Sequence, residues 1–138
     1  MIKLGTVIHN TLRPEHMIPA FAQELKRLDT DERKVTLVAN AAALTDFQSE
    51  EAHEVLFDLF DALNEFAPPL CYFGGHPGNN SDFGYWPCEH CIEQFEGFRT
   101  DDLGKIPADY SGSVLFCNDI VLTYYNRKDN TLTEVWSM

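Results

Sequence analysis

Between Lys34 and Arg99 this chain has no lysine and no arginine, a gap of 64 residues in a total of 138. Residues 35–105 carry thirteen Asp and Glu against two Lys and Arg, and so account for −11 of the net charge of −12. The flanking segments 1–34 and 106–138 carry +1 and −2. Nonspecific attachment to nucleic-acid phosphates or to an anionic membrane needs a basic surface, so both are disfavoured. A basic partner remains, or a charge that serves only solubility.

Long apolar runs are also missing. No stretch approaches the roughly 20 residues that a membrane-crossing helix requires. The opening Met1–His9 has one Lys and a short apolar run that ends in His9-Asn10-Thr11, which does not read as a signal peptide. A cytoplasmic chain is the expectation. Cysteine is scarce, with four residues at Cys71, Cys88, Cys91 and Cys117. Without an export signal they are expected to be reduced thiols. Repeats, low-complexity tracts and long linkers are absent too, which points to one domain over residues 1–138. What is present is ordinary for a globular core: 44% hydrophobic residues, with ten Phe, five Tyr and two Trp spread along the chain.

Residues 1–9 alternate loosely, with Ile2, Leu4 and Val7 against Lys3 and Thr6, as a short strand or extended arm would. Met17, Ile18, Phe21, Ala22, Leu25 and Leu28 recur at spacings of three and four and predict an amphipathic helix over 14–28. Pro14 suits its first turn and Thr11 is a candidate cap, while Pro19 lies inside and could shift its start. Asp29-Thr30-Asp31 can cap a second helix carrying Val35, Val38, Ala42 and Phe47, with a strand over 35–38 as the competing assignment. Ser49 caps a third helix whose apolar face is Ala52, Val55, Leu56, Leu59, Phe60, Leu63 and Phe66, stopped by Pro68-Pro69. Strand character follows at Leu70–Phe73 and Phe83–Trp86, joined by a long glycine-rich tip. One helical turn is expected within 88–96 and irregular chain over 97–112. An antiparallel meander of Ser113–Cys117, Ile120–Tyr125 and Thr131–Trp136 closes the chain. Helices through about residue 67 and strands from 68 onward predict an α+β fold, with N-terminal helices packed on a C-terminal four- or five-stranded antiparallel sheet.

Glu50, Glu54, Asp58, Asp61 and Glu65 are spaced by four, four, three and four, which places them in one stripe opposite the apolar face. No basic residue on this helix offsets them. Like charges at this spacing cost a few tenths of a kcal/mol per pair. A row of carboxylates can imitate a nucleic-acid backbone and enter a basic groove, and Phe57 beside it is a candidate contact anchor. A solvated face on an acidic protein is the plainer alternative.

The segment Tyr72–Trp86 joins five aromatics to a Gly/Asn tip bearing His76 and Asp82. It lacks the Gly-Lys-Ser/Thr of a phosphate loop and any Gly-x-Ser-x-Gly nucleophile. His76 and Asp82 are a candidate orienting pair, or the glycines serve positive φ and the aromatics serve the core. The segment resembles a YFGxHPGDGxDFGxW stretch of small acidic proteins of phages and mobile elements. The likeness extends to Leu4–His9, Arg13–Glu15, Ile18–Phe21, Leu56–Leu63 with Ala67–Pro69, Asn118-Asp119 and Glu134–Ser137. It implies a mobile-element context and no catalytic activity. Asn79-Asn80 stands where that pattern has Asp-Gly, so the acidic group at the tip is absent here.

Cys88-Glu89-His90-Cys91 has zinc-ligand spacing, but no second pair accompanies it. Cys71, His76, His90 and Cys117 could complete a site only if the fold gathers them; Cys71 and Cys117 otherwise suit small buried hydrophobes. His9, His16 and His53 are isolated. The leading expectation is a non-enzymatic interaction protein without a cofactor. It would block a basic nucleic-acid-binding site of a host defence or regulatory protein by charge mimicry, with Glu50, Glu54, Phe57, Asp58, Asp61, Glu65, His76 and Asp82 at the contact. A zinc-binding module at Cys88 and Cys91 is the alternative, and an enzyme using His76 and Asp82 a further one. Self-association is compatible with any of these.

Overall fold

The computed structural model describes residues 3–138, so Ile2 of the opening alternation lies outside the described residues. The chain gathers into two compact units, Gly5–Pro87 and a second made of Cys88–Met138 with Lys3 and Leu4. The division between the units falls after the glycine-rich hairpin, while the change from helices to strands falls between Glu65 and Cys71. The α+β class holds, with helices early and mostly antiparallel strands late. The strands form two sheets where one was expected.

In the first unit, β1 (Gly5–Ile8) precedes α1 (Pro14–Leu28), α2 (Val35–Ala43) and α3 (Glu50–Glu65). The strands β2 (Cys71–His76) and β3 (Asn79–Pro87) follow, and the sheet order is β1-β3-β2, antiparallel throughout. α1 spans the predicted range. Pro19 leaves the Glu15 carbonyl without its usual donor, yet the start stays at Pro14. The cap is Arg13 and not Thr11; the Thr11 hydroxyl instead accepts the Arg13 N–H at 3.2 Å and meets His16 Nδ1 at 2.9 Å.

The segment 35–38 is helical, and the competing strand is not formed. Asp29 prepares this helix from a distance. The expected side-chain cap is not formed, since the N-cap is Lys34; Asp29 Oδ1 accepts the Arg33 N–H at 3.0 Å and its Oδ2 the Lys34 N–H at 2.6 Å, which fixes the turn just before the helix. Ser49 caps α3 as expected, its Oγ accepting the Ala52 N–H at 3.1 Å. The core lies between α1, α3 and one face of the sheet. Phe21 meets Phe60, Phe73 and Phe83 with ring centroids 5.1, 5.2 and 5.8 Å apart. Ile18, Leu25, Leu59, Leu63 and Tyr85 are buried around this cluster, each apolar side chain contributing about 1.5–3 kcal/mol by leaving water.

The glycine-rich segment is more regular than its composition suggests. Strand pairing continues to His76↔Asn79, so the tip is only Pro77-Gly78 and the long loop is not formed. Gly74, Gly75, Gly78 and Gly84 do not take positive φ, contrary to expectation; among the described glycines only Gly5 and Gly112 do. Gly84 is needed for space: a Cβ there would lie 2.0 Å from the Gly5 carbonyl oxygen on β1.

The second unit holds the short helix α4 (Glu89–Glu93), then β4 (Phe98–Thr100), β5 (Gly112–Cys117), β6 (Leu122–Lys128) and β7 (Thr131–Ser137). β5, β6 and β7 are the predicted meander, and β4, in the segment expected to be irregular, adds to it parallel to β5. The β6–β7 turn is Asp129-Asn130, both at positive φ (52° and 64°), the conformation that suits a two-residue hairpin. Val114, Leu115, Tyr124 and Trp136 are buried, with Tyr124 and Trp136 stacked at 6.0 Å. Among the described residues no helix is long and apolar enough to cross a membrane.

Candidate functional site

The outer face of α3 carries the acidic row. Burying Ala52, Val55, Leu59, Ala62 and Leu63 fixes the rotation of the helix, and that rotation turns Glu50, Glu54, Asp58, Asp61 and Glu65 outward. All five are exposed. Phe57 lies at the edge of the row with 69% of its surface open, an unusual position for a large aromatic. The row is not uniform. Lys34, at the start of α2, places its Nζ 3.0 Å from Glu65 Oε2 and neutralises the C-terminal end. Among the described residues no ion pair engages Glu50, Glu54, Asp58 or Asp61. A shallow groove of about 380 Å³ runs between α2 and α3, with Asp58, Asp61 and Glu65 on one wall and Arg33, Lys34 and Asn40 on the other. Sequence spacing within α3 could not show this cationic wall, because Lys34 reaches Glu65 across a turn and a helix.

At the hairpin tip, His76 and Asp82 are not brought together as a pair. His76 Nδ1 accepts the Gly78 N–H at 2.9 Å, and its ring packs edge-on against Trp86 at 4.6 Å. Among the described residues no hydrogen bond links it to Asp82, whose buried Oδ1 lacks a partner. Trp86 Nε1 donates to the Gly74 carbonyl at 3.0 Å, and the Tyr72 hydroxyl to that of Gly75 at 2.8 Å. The aromatics thus brace the hairpin backbone.

The four cysteines are free thiols. Cys88 precedes α4, and its Sγ accepts the Cys91 N–H at 3.4 Å. Hydrogen bonds from Cys91, first from its thiol and then from its backbone N–H, hold the Cys88 thiol below its ordinary range. The same thiol contact, with burial adding, pushes Cys91 up. Among the described residues no group of three or more His, Cys, Asp or Glu is placed to hold a metal ion, so His76, His90, Cys71 and Cys117 do not complete the pair. Cys117 is exposed at the end of β5, where a buried thiol was expected.

One polar cluster had no local signature. The Tyr85 hydroxyl, on β3, donates to Glu24 Oε1 on α1 at 3.2 Å, and Arg27 pairs with that carboxylate at 2.6 Å. Burial first, then the Glu24 charge, raises the Tyr85 phenol above its ordinary range. The separation of 61 positions between Glu24 and Tyr85 explains why periodicity could not reveal it. No family model matches the chain, and neither a curated protein nor a solved structure does.

Proposed function

We propose that this chain is a non-enzymatic interaction protein, encoded by a phage or mobile element, that acts in the host cytoplasm. The α3 face would occupy a basic nucleic-acid-binding site on a host defence or regulatory protein. The observation that carries the reading is the row Glu50, Glu54, Asp58 and Asp61, exposed and in no ion pair among the described residues, beside the exposed ring of Phe57. One helical turn rises about 5.4 Å, so these carboxylates repeat on the scale of a phosphate backbone, whose charges lie roughly 3.4 Å apart per strand. A basic groove would meet the charges, and Phe57 would supply the apolar contact that charge alone lacks. The Lys34–Glu65 pair confines the mimic to the first three turns of the helix. His76 is held by its own turn and by Trp86, and among the described residues Cys88 and Cys91 have no third donor placed with them, so neither the loop enzyme nor the zinc module is favoured.

The test is capture of the partner from host lysate, followed by competition with duplex DNA. The captured protein should be released by the duplex and by raised salt, since screening weakens exposed charge pairs. Glu54→Gln, Asp58→Asn and Asp61→Asn together should abolish capture while the circular-dichroism spectrum stays unchanged. Undiminished capture by this triple variant would refute the proposal.

A further inference from the structure

We propose that Cys88 and Cys91 are a reversibly oxidisable dithiol, which gives up two electrons to a low-molecular-weight disulfide and closes to an intramolecular disulfide. The two thiols stand three residues apart across a helical turn, the spacing at which side chains become neighbours, with Cβ atoms about 5–6 Å apart. A disulfide brings the Cβ atoms to about 3.5–4.5 Å, a closing movement of roughly 1–2 Å from that spacing. The Cys91 N–H already points at Cys88 Sγ, at 3.4 Å, so the attacking and resolving sulfurs share one turn. Neither side chain is fully buried. The hydrogen bonds that lower the Cys88 thiol favour its thiolate, the nucleophile of exchange.

In the first step the Cys88 thiolate attacks one sulfur of the small disulfide. A mixed disulfide forms and one small thiol leaves. The Cys91 thiolate then attacks Cys88 Sγ, forming the Cys88–Cys91 bond and releasing the second small thiol. The chain gives up two electrons, and the two cysteine protons end on the two released thiols. Glu89 and Glu93 flank the pair, which favours a cationic disulfide over an anionic one.

Cystamine is therefore the probe. The reduced full chain is mixed with excess cystamine at neutral pH, quenched with acid at intervals, weighed intact and mapped by peptide. The expected first product has lost two hydrogens, carries the Cys88–Cys91 bond and retains no cysteamine on either of these two residues. The Cys91→Ser chain should stop at a cysteamine adduct on Cys88. Cys117, exposed at its strand end, should react at least about tenfold more slowly than Cys88. A lasting adduct on Cys88 in the unaltered chain, or faster reaction at Cys117, would overturn the proposal. The unaltered chain decides the matter even if a variant folds poorly.

Discussion

Gly84 and Tyr85 sit side by side on β3 and are constrained for different reasons. At Gly84 a methyl group would lie 2.0 Å from the Gly5 carbonyl oxygen and 2.8 Å from its carbon, both backbone atoms that no rotamer change can move. Gly84→Ala should part β1 from β3 and cost about 2–4 kcal/mol, read as a fall in the urea midpoint. At Tyr85 the phenol is 2% exposed and bonded to Glu24. Its folded pKa is raised, so the neutral form is favoured by folding. That contribution is complete below the unfolded value of about 10 and is lost as pH climbs through the folded one. Urea midpoints measured from pH 8 to 11 should therefore fall at the alkaline end. Tyr85→Phe should flatten that fall while losing about 1 kcal/mol at neutral pH for the missing hydrogen bond. An equally steep decline in the variant would assign the alkaline loss to another group.

Helix α3 is stabilised on one side and strained on the other. Its buried face and the Ser49 cap hold it, while successive carboxylates along the outer row repel. The Glu54→Gln, Asp58→Asn, Asp61→Asn variant should therefore be as stable as the parent or up to about 1 kcal/mol more stable. A destabilised variant would mean that these acids hold the fold together, and would remove the reason to treat the row as a binding surface. α1 and α3 were legible in sequence because helical periodicity and capping are local. The hairpin was misjudged at its tip for an equally physical reason. Glycine and asparagine usually mark loops, but here they extend the strands, and Gly84 is selected by the closeness of β1, a contact 79 residues back at Gly5.

Across the whole chain the acidity is shared. Gly5–Pro87 has thirteen Asp and Glu against five Lys and Arg, and Cys88–Met138 has nine against four. Bulk charge of this kind maintains solubility, so a specific role depends on where the carboxylates stand. The first unit encloses its own core of Phe21, Phe60, Phe73, Phe83 and the leucines around them. A chain cut to residues 5–87 should keep its helical circular dichroism and unfold in one cooperative urea transition. A fragment with helical signal but no cooperative transition would show that this core is insufficient alone.

By itself the sequence determined the two amphipathic helices, the Ser49 cap, the outward acidic row, the C-terminal meander and the α+β class, since each follows from periodicity or turn chemistry within a few residues. Tertiary structure decided the rest: the division into two sheets, the parallel strand β4, the short hairpin tip, the Glu24–Tyr85 bond and the Lys34–Glu65 pair. Apart from the hairpin tip, where His76 pairs with Asn79, these join residues far apart in the chain, where the outcome depends on which surfaces are buried together, and no local pattern encodes that.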